Sequence, residues 1–130
     1  MDRKSKFFIC NKCKNLMLNY QFSGNIPSCC QEKMENLTPK YEGEGREKHI
    51  LIADCDGERV RIKVGEIPHP MTDDHGISWI YLVTKFGDQR KYLLPGDEPE
   101  ATFLLEKDDI PVVAYAHCNL HGIWKVTINE

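Results

Sequence analysis

Between Cys10 and Cys30 this chain carries four thiols and very little that could form a core. Cys10-Asn11-Lys12-Cys13 opens the segment and Ser28-Cys29-Cys30 closes it. The residues between are mostly polar, with turn signals at Ser23-Gly24-Asn25 and Pro27. A stretch so poor in apolar residues cannot hold itself together by burial, and a metal would supply the missing stability. Cys-x-x-Cys lets two thiolates reach one ion from a tight turn, and a second pair is expected from a separate turn. Here the second pair is adjacent. Neighbouring side chains of an extended chain point to opposite sides, so Cys29 and Cys30 share an ion only where the backbone bends. Pro27-Ser28, just upstream, is the expected place. The reading is a strained tetrahedral four-sulfur site for zinc or iron. The alternative is a set of unrelated free or redox thiols.

The compartment bears on that choice. The start, MDRKSKFFIC, is charged, no apolar run of signal-peptide length follows, and no stretch approaches membrane-spanning length. A cytoplasmic protein is expected. There thiols stay reduced, so the chain's 6 cysteines argue for metal or redox use over disulfides. At 130 residues the chain suits one domain, or one domain plus a small metal-stapled module. Its formal charge of -3 gives no reason to expect a nucleic-acid backbone or an anionic membrane as partner.

Pro39, Gly43, Gly45 and alternating charges mark residues 37 to 46 as a linker. From His49 onward the pattern is β. HILIAD is apolar enough for a core strand, and ERVRIKVGE alternates, with Val60, Ile62 and Val64 on one face. ISWIYLVTKF, RKYLL, ATFLLE, PVVAYAHC and GIWKVTIN follow, separated by turn clusters. Seven such segments at short spacing predict an all-β sandwich similar to an immunoglobulin fold.

Four places in this β part offer soft ligands: His49 in EKHI, His69 in IPHPM, His75 in DDHGISW, and Cys118 with His121 in HCNLHG. Each lies at a strand end or in a turn, and loops at one end of a sandwich can converge. Taken singly, each histidine reads as a surface or packed residue sooner than as a ligand. Spacing alone leaves both readings open. A site of several imidazoles and one thiolate departs from the four-ligand closure of structural zinc and suits iron or copper in redox work. A single thiolate donates electron density to iron.

Taken together, CNKC with SCC, EKH, VGEIPHPMTDDHGISWIYL, PEATF and AYAHCNLHGIWK make the chain resemble desulfoferrodoxin, the two-iron class of superoxide reductase, over essentially its whole length. The resemblance implies a mainly β protein. A small four-cysteine, desulforedoxin-like domain over 1–37 precedes an immunoglobulin-like seven-stranded sandwich over 38–130. It implies that Cys10, Cys13, Cys29 and Cys30 hold one iron, with zinc a possible substitute. His49, His69, His75 and His121 would hold a second, catalytic iron equatorially, with Cys118 as its axial thiolate. Superoxide would bind at the sixth position, Glu47 could occupy that position on ferric iron, and Lys48 would be the cation beside it. A rubredoxin-like electron donor and a homodimer are also implied.

The family often has proline where this chain has Leu51, which puts the roles of Glu47 and Lys48 in question. If the chain is extended at Glu47, then Glu47 and His49 share a face and Lys48 points away. His117 stands where tyrosine is common, and as a strand neighbour of Cys118 it should face the other way. Cys55 matches no site and reads as a turn residue. Two rival functions differ in class. A blue-copper carrier would want a methionine after His121, and Met71 lies far upstream. A zinc-stapled interaction module would be colourless.

Overall fold

The computed structural model describes residues 6–129, which form two compact units dividing between Thr38 and Pro39. No helix among the described residues is long and apolar enough to cross a membrane.

The first unit contains β1 (Lys6–Ile9), β2 (Leu16–Asn19), β3 (Ser28–Cys29), β4 (Glu32–Lys33) and β5 (Glu35–Leu37). β1 lies between β2 and β5 in an antiparallel sheet, and β3 and β4 form a hairpin. Strands of two to four residues leave too little alternation to read from sequence, and none of the five was expected. The core here is small: Phe8, Cys10 and Met34 are buried, and Cys29 packs against them.

The second unit holds the one-turn helix α1 (Arg46–His49), then β6 (Leu51–Asp56), β7 (Arg59–Val64), β8 (Ile77–Thr84), β9 (Asp88–Tyr92), β10 (Glu100–Leu104), β11 (Pro111–Cys118) and β12 (Gly122–Thr127). These are the seven strands that the sequence segments anticipate. They form two antiparallel sheets, β10-β7-β6 and β12-β11-β8-β9. β7 alternates as read, with Val60, Ile62 and Val64 buried and Arg59, Arg61 and Lys63 exposed. Phe103, Leu51, Ile80, Leu82, Ala114, Ala116 and Trp124 complete the core. Each large apolar side chain removed from water there stabilises the fold by about 1.5–3 kcal/mol.

Three expectations need correction. The chain is helical, not extended, at Glu47: a single turn runs Arg46–His49 and the strand starts only at Leu51. Residues 37 to 46 are not all free linker. The Lys40 N–H donates to the Ile123 carbonyl (2.8 Å) and the Lys40 carbonyl accepts from Lys125 N–H (2.8 Å), which straps residue 40 beside Trp124 on β12. Cys55 lies within β6, not in a turn.

Candidate metal centres

In the first unit, four sulfurs converge: the ligand atoms of Cys10, Cys13, Cys29 and Cys30 all lie within 4.8 Å of one another. Cys13 Sγ is 3.6 Å from Cys29 Sγ, and Cys29 Sγ is 3.9 Å from Cys30 Sγ. Metal–sulfur bonds of about 2.3 Å in a tetrahedron put sulfurs about 3.8 Å apart, so the set fits one ion. The bend that joins Cys29 to Cys30 is not at Pro27. It is the two-residue loop Cys30-Gln31 of the β3–β4 hairpin, with φ of 52° and 65°. Positive φ at both central residues is the type I′ geometry that fits strand twist, here taken by two residues with side chains. Cys29 ends a strand, Cys30 begins the turn, and the two thiols face one point. The first pair is set by its own turn, where the Lys14 N–H donates to the Cys10 carbonyl (2.8 Å) and the Cys13 N–H points at Cys10 Sγ (3.5 Å). That amide lowers the Cys10 thiol to about 6, while the sulfur of Cys13 and then those of Cys10 and Cys29 push Cys30 up to about 12. Thiols so close cannot all ionise without a cation to share.

The second cluster gathers at one end of the sandwich. The ligand atoms of His49, His75, Cys118 and His121 lie within 4.8 Å of one another. His69 joins through His49, their Nε2 atoms 3.1 Å apart. His69 Nδ1–H donates to the Pro70 carbonyl (2.7 Å) and His49 Nδ1–H donates to the Gly45 carbonyl (2.8 Å). A carbonyl only accepts, so each ring spends its proton on backbone and each Nε2 presents a lone pair. Two lone pairs at 3.1 Å repel unless a cation lies between them. Neighbouring nitrogens on one metal, with bonds of about 2.1 Å at right angles, sit about 3.0 Å apart. Cys118 Sγ is 3.5 Å from His121 Nδ1, again a spacing for adjacent ligands. His75 Nε2 is buried and has no hydrogen-bond partner among the described residues. The donor set therefore fits a metal, and backbone acceptors fix its ring orientations.

Each candidate ligand is placed by local chemistry. His49 ends α1, and its ring stacks on Trp124 (centroids 4.9 Å, 17°). His69 follows a tight turn at Gly65, where the His69 N–H reaches the Val64 carbonyl (3.3 Å). His75 closes a loop on Thr72, whose Oγ1 accepts from His75 N–H (3.1 Å) and donates to its carbonyl (3.1 Å). Cys118 is buried at the end of β11, beside a register shift against β8 that re-aims the strand end. His117 faces the other way, its Nδ1 hydrogen-bonded to Ser78 Oγ (2.7 Å) and its ring stacked on Trp79. Burial lowers the basicity of His49, His75 and His117, and takes His69 down to about 4. Neutral imidazole is the ligand form.

Asn119 was not singled out from sequence. Its Nδ2–H donates to the Asp74 carbonyl (2.8 Å) and its Oδ1 accepts from Gly76 N–H (3.0 Å), which ties the His75 loop to the Cys118–His121 turn. Only its position inside CNLH could have signalled this. Met71 is no ligand: its sulfur accepts the Ile77 N–H (3.3 Å) and packs against the core, which removes the copper reading's axial candidate.

Glu47 and Lys48 are exposed on α1. At about 100° per residue, Lys48 is a quarter turn from His49, while Glu47 is on the far side of the axis. Lys48 lies near enough to His75 for its charge to disfavour that ring's protonation, after burial and His121. This conformation does not direct Glu47 toward the cluster.

A seven-stranded β-sandwich with a histidine and single-thiolate cluster at one end, together with a small four-thiolate unit, defines a two-site metalloprotein. The profile of the Desulfoferrodoxin family matches residues 42–127. A desulfoferrodoxin homolog of Methanothermobacter thermautotrophicus is 38% identical, over 95% of this chain and 99% of the relative. The desulfoferrodoxin of Nitratidesulfovibrio vulgaris is 34% identical, over 96% and 98%. The crystal structure of the superoxide reductase from Treponema pallidum covers 97% of this chain and 100% of its own, with a TM-score of 0.83 and 34% identity. The one-iron superoxide reductase of Giardia intestinalis covers 65% and 99%, with a TM-score of 0.57 and 33% identity. The chain belongs to the desulfoferrodoxin family.

Proposed function

We infer that the chain is a superoxide reductase. It converts superoxide, one electron and two protons into hydrogen peroxide and releases no dioxygen. The observation that carries this reading is the convergence of the ligand atoms of His49, His75, His121 and the buried Cys118, with His69 Nε2 3.1 Å from that of His49. Family membership and structural likeness to superoxide reductases support it. His49, His69, His75, His121 and Cys118 would hold iron, which when bound supplies the electron.

The chain's own residues do the rest. The Cys118 sulfur is buried, whereas His121 is exposed and His75 half-buried, so solvent and substrate approach at the imidazole edge, away from the sulfur. Cys118 would hold the iron from the buried side, and its thiolate would supply electron density to it. Lys48, beside His75, draws the anionic substrate in. Closure of the site by Glu47 requires α1 to unwind.

We further propose that 1–37 is a desulforedoxin-like four-cysteine iron domain and 38–130 the superoxide reductase domain. Cys10, Cys13, Cys29 and Cys30 hold a second iron, with zinc a possible substitute, given the sulfur spacing. A rubredoxin-like donor, a homodimer and a cytoplasmic setting complete the proposal.

The test is Cys118→Ser. The variant should keep its fold, lose the visible thiolate-to-iron band and lose superoxide consumption. Full activity in it would reject the assignment, and a colourless, zinc-loaded wild type would favour a structural module instead.

A further inference from the structure

The histidine centre has an exposed cation beside its His121 turn that the proposed mechanism does not use. Lys40 is strapped to β12 by both of its backbone groups. From there its Nζ reaches the carbonyl of His121 (3.4 Å) and lies 5.8 Å from the centre of the Trp124 ring. Trp124 serves two ligands at once. Its ring stacks on His49, and its Nε1–H donates to the same His121 carbonyl (3.3 Å). His121 is the most exposed of the five candidate ligands and sits in a short turn. Two donors on one carbonyl oxygen lock the peptide that carries it. The strap is held a second time at the next residue, where Lys125 Nζ lies 5.7 Å from the Tyr41 ring centre.

We propose that Lys40 is a positioning and charge-tuning residue of the histidine–cysteine centre, holding the His121 turn and placing a fixed positive charge beside it. This rests on the reading that the cluster holds iron. A fixed cation favours the state of the centre with less positive charge, which is the reduced one. Lys40 thus raises the centre's potential and makes it easier for an external donor to refill. It differs from Lys48 in place and in role, since it acts on the ligand backbone and not on the entering anion.

The experiment compares iron-loaded wild type, Lys40→Met and Lys40→Arg. Iron content and the visible thiolate band come first. A wild type that lacks them overturns the metal reading and this proposal with it. With the band present, a redox titration followed at that band decides. Lys40→Met should shift the equilibrium three- to tenfold toward the oxidised form, a fall of about 30–60 mV for a one-electron couple. Lys40→Arg should stay within twofold of wild type. If Lys40→Met fails to retain iron, Lys40→Gln keeps a donor for the carbonyl without the charge and carries the same expected fall. Equal potentials in wild type, Met (or Gln) and Arg overturn the proposal while leaving the metal assignment standing.

Discussion

At the scale of single residues, the informative contact is the one between His49 and His69. Both rings have given their N–H to backbone carbonyls, so the short approach of their free nitrogens makes sense only around a cation. The same burial sets a pH dependence for the metal-free protein. The folded-state basicity of His69 is depressed to about 4 from the usual 6.5, and His49, His75 and His117 are lowered too. Below pH 6.5 the unfolded chain therefore binds protons that the folded chain refuses. Their contribution is whole above that value and is lost as the pH falls toward about 4, costing about 1–3 kcal/mol for His69. Urea unfolding of chelator-treated protein at pH 7.5 and pH 5 should show a lower midpoint at pH 5. An unchanged midpoint would mean these rings are solvated. Leu51 answers a smaller question. The Val64 N–H bonds Pro99 and the Val64 carbonyl bonds His69, so the Leu51 N–H has no ladder partner in Val64. On this edge strand proline and leucine are interchangeable for pairing.

At the scale of elements, turns place the candidate ligands more than strands do. Gly65 has φ of 94°, and a Cβ there would stand 2.2 Å from the Ile67 carbonyl oxygen and 2.9 Å from that of Lys48. Gly65→Ala should cost about 3 kcal/mol in thermal or denaturant unfolding and speed iron loss to a chelator, because His69 is hung from this turn. A stability within 0.5 kcal/mol of wild type, roughly the scatter of a neutral surface change, would show that the turn adapts. These elements also mark where the sequence could be read and where it could not. Alternation exposed β7 through Val60, Ile62 and Val64, and apolar runs exposed β8 and β11, because long strands repeat their signal. The single turn Arg46–His49 has no period to detect, and its residues are as compatible with a strand start as with a helix. The Cys30-Gln31 turn was illegible for a different reason: left-handed backbone is normally signalled by glycine or asparagine, and neither is present. The ligands themselves were legible as residue types at turns, but what brings them together, Asn119, Trp124 and the Lys40 strap, acts through side-chain and backbone bonds that have no spacing rule.

At the scale of the molecule, charge and architecture act together. The chain carries a formal charge of -3, so the whole repels an anion and attraction must be local. A cation about 6 Å from the entering anion is worth roughly 3 kcal/mol at an effective dielectric of 20 but about 0.7 kcal/mol in water, and exposed Lys48 is nearer the second figure. Lys48→Met should slow superoxide capture several-fold and flatten its dependence on ionic strength, as read by pulse radiolysis or stopped flow. A rate that is unchanged would leave Lys48 a solvated surface residue. The placement of the five donors has a further effect on how the sandwich comes apart. α1 and the turn after β7 lie at one end of the first sheet's strands, and Cys118 and His121 at the end of β11 in the other, so a single ion held by the proposed ligands would rivet both layers along one rim. Pulling that rivet frees one margin only. Hydrogen exchange after chelation should quicken at Gly65, His69 and Asn119 while the amides of Thr84 and Leu105, bonded at the opposite margin, stay slow. Demetallation then resembles a book opening from its fore-edge with the spine still bound.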